Sequence, residues 1–361
     1  MPAPQFHLTF GQLVKDQQTI HPALRRACSN EPVYVRLGSI FHDLPYYGNM
    51  LAEAVRYGLG SPALDEPWAY RMHSVRPDRF VASFIRAAAT TPGPLTRDER
   101  LALCAGLVSH AALDLTLHPL VNYCARRDTA AFGAHESMHH RLTEKYQALF
   151  FHMERLGHDP IGTPEFRQMS LIVKDGSITQ AKVEWPIVEF MQNAYRGVYG
   201  DAPDPKTWMG WVRSFRHFGL LVSLPIAQLN STKKHRDPLL KPRYFENEVF
   251  RFWDFYAASE RRLVELCNLA YAYFDAGEFT RATEDAFVRA AQIDDLAEPG
   301  LHYPERLADL PSLPRLTVRC TPGITAPPGE PWRKRDRRRL KRRQRRSARV
   351  RRLAERNESA R

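Results

Sequence analysis

The sequence predicts an all-α fold, a multi-helical bundle, and three observations carry that prediction. Several long segments place apolar residues three and four apart, the period of helices with one buried face. Only two short runs, 170–173 and 316–318, have the texture of a strand. The stretch 106–123, GLVSHAALDLTLHPLVNY, spaces His110, Asp114 and His118 four residues apart. Each such step turns a helix by only about 40°, so all three side chains share one face.

The elements follow in chain order. The first 95 residues read as loop-rich, with helical pieces at 11–28, 47–58 and 78–89. Thr96 followed by Glu99 has the form of a capping box, which opens the helix carrying the ladder, and Asp98 adds an acid to its first turn. A second long helix fits 135–156, and further helices fit 186–199, 205–224, 246–276 and 280–293. From Glu298 the prolines at 299, 304, 311, 314, 322, 327, 328 and 331 break any helix. The chain therefore divides into a helical body at 1–297, a Pro-rich linker at 298–332 and a basic, disordered tail at 333–361.

With 361 residues, 43% of them hydrophobic, the body can bury a sizeable core. The net charge of +12 is uneven: 333–352 holds fourteen Lys/Arg against Asp336 alone, which is +13 and leaves the rest at −1. Cys28, Cys104, Cys124, Cys267 and Cys320 show no CxxC spacing and read as core thiols of a reducing compartment. No signal peptide is visible at the start, and no run approaches the roughly 18 apolar residues of a membrane span. These features predict a cytoplasmic protein, at most peripheral at a membrane.

Eleven of the fourteen histidines precede residue 159. The neighbours of the ladder, among them Leu107, Val108, Ala111, Leu117 and Val121, are apolar, so its face points inward. Buried His and Asp side chains without partners are costly, and a metal ion is the partner that suits them. His7, His42, Asp43 and His73 lie upstream. Downstream, HESMHHRLTEKYQ places His140 and Glu144 one helical turn apart, with Glu136 a turn earlier on the same face. A rigid helix can pre-set an imidazole and a carboxylate at that spacing as metal ligands. His135, His139, His152 and His158 read as solvated or supporting residues. His42–Asp43 has the letters of an HD phosphohydrolase dyad, but the following Leu-Pro-Tyr-Tyr fits a tight turn better than a helix.

HxxxDxxxHP followed by HxxxE, and preceded by GSxxxDLPYY and an isolated MH, resembles the bacterial zinc-dependent phospholipase C family, relatives of the P1-type nucleases. The likeness covers roughly residues 5 to 156. It implies an all-α scaffold of the phospholipase C/P1 nuclease type with a multinuclear zinc site in a cleft. Carried over by motif, one zinc would be held by His73, His110 and Asp114, with Asp43 near or bridging. A second would be held by His118, His140 and Glu144. His7 matches an early histidine that helps bind a third ion, with Asp114 shared. Secreted members complete that third site with an N-terminal tryptophan, whereas this chain starts Met-Pro-Ala-Pro-Gln-Phe; two zinc ions are expected and the third stays open.

Nitrogen and oxygen ligands without cysteine suit a hydrolytic zinc site. Paired zinc ions acidify water and clamp phosphoryl oxygens. The resemblance makes Asp43 the general base or orienter, and phospholipid the substrate, cut to diacylglycerol and a phosphorylated head group. Tyr46, Tyr47, Tyr57, Trp68 and Tyr70 could hold a quaternary ammonium by cation–π contact, or serve as core and rim. The tail fits an anionic membrane surface or nucleic acid. Two rival functions remain at this point: a zinc-dependent nuclease or phosphatase on the same scaffold, and a non-catalytic structural zinc protein.

Overall fold

Prolines start helices throughout this chain. In the computed structural model, which describes residues 4–48, 67–93, 95–132, 136–172, 181–224, 227, 229 and 233–293, Pro22, Pro32, Pro45, Pro77, Pro164 and Pro205 each occupy the first turn of a helix. Proline is suited there because the missing N–H has no intrahelical partner to lose and its φ is already helical. This corrects the loop-rich reading of the first 95 residues, whose described part is mostly helical.

The helices are α1 (Pro4–Gln12), α2 (Pro22–Asn30), α3 (Pro32–Ile40), α4 (Leu44–Tyr47), α5 (Pro67–Ser74), α6 (Pro77–Thr90) and α7 (Arg97–Phe132). They continue as α8 (Glu136–Leu156), α9 (Pro164–Met169), α10 (Ala181–Tyr199), α11 (Pro205–Val222), α12 (Leu240–Tyr244), α13 (Phe252–Ala276) and α14 (Arg281–Ala291). Short 3-10 turns at Leu13–Lys15 and Phe41–Asp43 join α1 to α2 and α3 to α4. There is no strand among the described residues, so the all-α prediction holds; 170–172 is turn and coil, and 316–318 lies outside them.

Two predicted helices are interrupted. The helix expected over 11–28 breaks at His21, which takes the extended ψ of 132° that a following proline imposes, and its Nδ1 accepts the Ala23 N–H as a cap. The one expected from 246 starts at Phe252. Asn247 Oδ1 accepts the N–H groups of Val249 and Phe250, turning the chain so that Phe245 and Phe252 stack at 4.5 Å. The helix expected over 47–58 falls mostly outside the described residues, as do Cys320, the linker and the basic tail.

The centre of the fold is α7, with α1, α2, α3, α8 and α13 packed around it. Its capping box forms as the sequence predicts: Thr96 N–H donates to Glu99 Oε2 at 2.8 Å, and Glu99 N–H to Thr96 Oγ1 at 3.2 Å. By length and composition α7 could cross a membrane, but 94% of its most apolar window is buried in the protein, as befits a core helix. Where α3 crosses α7, Gly38 faces Gly106. A Cβ on Gly38 would lie 2.2 Å from the Leu103 carbonyl oxygen, and one on Gly106 2.2 Å from that of Val35. Only glycine lets the two backbones come this close. On the outer side α11 buries Trp208, Trp211, Val212 and Phe215, setting Trp211 over Gly48 and Phe215 against Tyr47 at 4.8 Å.

Candidate metal centre

Five segments deliver donors to one interior region. Helix α1 brings His7, the 3-10 turn brings His42 and Asp43, α5 brings His73, α7 brings His110, Asp114 and His118, and α8 brings His140 and Glu144. The close α3–α7 crossing sets their register: it places the Ser39 carbonyl 2.8 Å from His110 Nδ1, and the turn bearing Asp43 follows at once.

The donor atoms form three groups, each mutually within 4.8 Å: His7, His110 and Asp114; Asp43, His73 and His110; and His118, His140 and Glu144. Asp114 sits between them. Its Oδ2 is 2.9 Å from His110 Nε2 and 3.8 Å from His73 Nε2, and its Oδ1 is 3.4 Å from His7 Nε2 and 3.7 Å from His118 Nε2. Asp43 lies 3.4 Å from His73 Nε2 and 3.8 Å from His7 Nε2. Glu144 Oε1 is 3.2 Å from both His118 Nε2 and His140 Nε2.

All eight residues named from the sequence are thus brought together. The grouping differs from the motif-based assignment in one respect: His110 stands in two groups, with His7 and Asp114 in one and with Asp43 and His73 in the other. Glu136 does not join. It is exposed and accepts from Arg126 Nε at 3.2 Å, at the start of α8.

Do these residues fit metal ions? The outer ring nitrogens answer first. His73 Nδ1 is held by the Ala69 carbonyl at 2.7 Å, His110 Nδ1 by that of Ser39, and His140 Nδ1 by Asn122 Oδ1 at 2.7 Å. Each acceptor calls for a proton on Nδ1 and leaves the Nε2 lone pair facing the centre, the arrangement that metal-ligating histidines adopt. The inner atoms answer next. Asp43 Oδ2 and Glu144 Oε2 are buried without a hydrogen bond, and His110 Nε2, though near Asp114, is not aligned to give it one. His118 Nε2 and His140 Nε2 do share Glu144 Oε1 as a hydrogen-bond partner, while Asp43 Oδ2, Glu144 Oε2 and His110 Nε2 converge without one, as ligands of shared ions would, and the donor set fits zinc.

The electrostatics agree. Burial opposes charge on Asp114, but His110, His118 and His7 outweigh it and hold the carboxyl well below its ordinary range. Glu144 is likewise held low against burial, by His140 and His118. Burial also opposes a proton on His110, yet Asp114 and Asp43 raise its pKa to about 9, while burial and the nearby His110 push His7 down to about 4. These interior carboxylates call for positive charge, and in a metal-free centre an imidazolium supplies it.

Three residues behind the donors were not assigned from the sequence. Asn122 continues the four-residue spacing of the ladder, and that signal could have found it. Ser39 and Ala69 act through backbone carbonyls, which no side-chain pattern reveals. His42 is a further imidazole beside the donors. It is fully buried, neither ring nitrogen has a hydrogen-bond partner, and its ring stacks on that of His110 at 4.7 Å. Of the aromatic candidates, Tyr46 lies 5.8 Å from the His73 ring. Tyr47 is core, Trp68 packs on Tyr195 beneath Arg71, and Tyr70 is exposed; Tyr57 is outside the described residues. His139 and His152 are buried, and His158 is exposed and paired with Glu165.

An all-α body with a buried, thiolate-free cluster of imidazoles and carboxylates defines a multinuclear metallohydrolase. The family model for zinc-dependent phospholipase C matches residues 6–204, more than half of the chain, and the chain belongs to that family. It is a zinc-dependent hydrolase of phospholipids, a phosphoric diester hydrolase. No curated protein and no solved structure matches it.

Proposed function

We propose that the chain cleaves phospholipid to diacylglycerol and a phosphorylated head group at this centre, with the eight donor residues in distinct roles. His118, His140 and Glu144 would hold one zinc; Asp43, His73 and His110 a second; His7 with Asp114 a third. The observation that carries this is the convergence of three donor groups on Asp114, a buried carboxylate with an imidazole on every side. Zinc supplies a Lewis acid that acidifies water near neutral pH and offsets charge on the phosphoryl oxygens.

The residues do the rest. Asp43 Oδ2, buried and without a hydrogen bond, accepts the proton of the attacking water as the new oxygen–phosphorus bond forms. The bond from phosphorus to the glycerol oxygen breaks, and that oxygen takes a proton from solvent. Asn122 and the carbonyls of Ser39 and Ala69 keep the imidazoles turned inward, so little reorganisation is needed as charge develops. The basic run at 333–352 would draw the body toward anionic lipid by about 1 kcal/mol per Lys/Arg near the surface.

The test pairs zinc per chain with release of phosphocholine from phosphatidylcholine. Turnover should vanish on chelation and return with zinc. The Asp43→Asn enzyme should keep most of its zinc and lose on the order of 10²–10⁴ in rate. A zinc-loaded chain that frees no phosphorylated head group from any phospholipid overturns the reading.

A further inference from the structure

Helix α11 has two apolar faces, and the described residues cover only one. Trp208, Trp211, Val212, Phe215 and Gly219 face inward. The opposite face runs Arg213, His217, Leu220, Leu221, Leu224, the i, i+4, i+7, i+8, i+11 spacing of a single stripe, and all five are exposed. Leu220, Leu221 and Leu224 are 43%, 54% and 50% exposed. The turn continues past the helix end, where the Leu224 and Ala227 N–H groups donate to the Leu221 and Leu224 carbonyls, and Leu229 beyond it is 72% exposed. Isolated surface leucines need no explanation, but a run of them along one stripe does.

We infer that the outer face of α11, Leu220, Leu221 and Leu224 with Arg213 and His217 above them, docks on the surface of an anionic phospholipid bilayer. Three observations commit it to that occupant. The stripe sets Arg213 and His217 beside three leucines, and apolar burial combined with attraction of basic groups to anionic lipid is what binds a helix to a membrane surface. Exposed Lys233 and Arg236, a few residues on, add positive charge, and no exposed carboxylate lies on the stripe. The inner face of the same helix, through Trp211 and Phe215, rests on Gly48 and Tyr47, a few residues from Asp43. That packing puts α11 on the side of the body where the chain runs on from Asp43, so a membrane met by its outer face would lie on that side of the centre. The inference rests on the phospholipase reading for the nature of the surface, and its test reads binding separately from cleavage.

The experiment uses the full-length zinc-loaded chain and vesicles of equal parts phosphatidylcholine and phosphatidylglycerol, at high salt so that purely electrostatic attraction by the basic tail is screened. Wild type should sediment with the vesicles. Each Leu→Ser change should weaken partitioning by about tenfold. The triple variant Leu220→Ser/Leu221→Ser/Leu224→Ser should lose cleavage of vesicle lipid while cleaving dihexanoylphosphatidylcholine, as monomers below its micellar concentration, at the wild-type rate. Leu221→Trp, a milder change, should shift its fluorescence to the blue when vesicles are added. Variants that sediment as wild type does, a wild type that does not sediment, or a tryptophan that stays in water would overturn the inference. A wild-type dimer that the triple variant abolishes would assign the face to a second copy and overturn it too. Wild type that binds vesicles through the leucines but cleaves neither lipid would sustain the docking face and defeat the phospholipase reading.

Discussion

Asn122 touches the centre through His140, and its loss should be felt in the metal. It accepts from His140 Nδ1 on α8, so one side chain both orients a ligand and ties α7 to α8. Removing such a partner usually weakens metal affinity by 10–100-fold, and Asn122→Ala should do so for the zinc held by His118, His140 and Glu144. Competition against a chromogenic chelator measures it; unchanged affinity for every zinc would remove Asn122 from that role. His152, which belongs to none of the three donor groups, offers a pH test. Its ring is buried between Thr9 Oγ1 at 2.9 Å and the Ala148 carbonyl at 2.7 Å, and burial pushes it down to about 4 from 6.5. With the folded value lowered, the unfolded chain takes up the proton first as pH falls. His152 therefore costs stability progressively from about pH 6.5 down to about 4, and no further below, by up to about 3 kcal/mol. The wild-type urea midpoint should fall faster than that of His152→Gln over this window; parallel curves would show that His152 contributes nothing.

At the scale of elements, the α3–α7 crossing decides whether a centre exists. Gly106→Ala would drive a methyl against the Val35 carbonyl, a backbone atom that can move only if the helices part. The expected cost is about 1–3 kcal/mol, with a loss of bound zinc as His110 is drawn from Ser39. Gly210→Ala in α11 is the control, since its Cβ meets nothing within 4 Å; that variant should be neutral or more stable by up to about 1 kcal/mol, as a helix interior prefers alanine. Melting curves with zinc stoichiometry distinguish the two. The same crossing marks how far the sequence could be read. The His110–Asp114–His118 ladder and the His140–Glu144 pair were legible because a helix converts a spacing of four into a shared face. The approach of His7 to Asp114 was not, since helix packing alone joins residues so far apart in the chain; there the family likeness supplied what periodicity could not. The first third, read as loop-rich, has prolines at the starts of short helices, where proline is favoured, and helices this short leave little periodicity to read.

For the molecule as a whole, zinc should be a large part of stability, because the donors come from elements spread from α1 to α8. A ligand bound only by the folded state at about 1,000 times its Kd adds about 4 kcal/mol. Chelation should therefore lower the melting temperature as well as abolish turnover, and restoring zinc should reverse both. A melting point indifferent to chelation would mean that packing alone holds the five segments together.

In most helical proteins the interior is the last part to open. Here α7, the central helix, also carries the Asp114 carboxylate and the His110, His118 and Asn122 side chains, so its middle holds buried charge that a cation must balance. Stripped of zinc, this protein should be softest at its middle. Amide protons of α7 around Asp114 should then exchange sooner than those of α13 at the flank, an inversion of the usual order that refilling with zinc would undo.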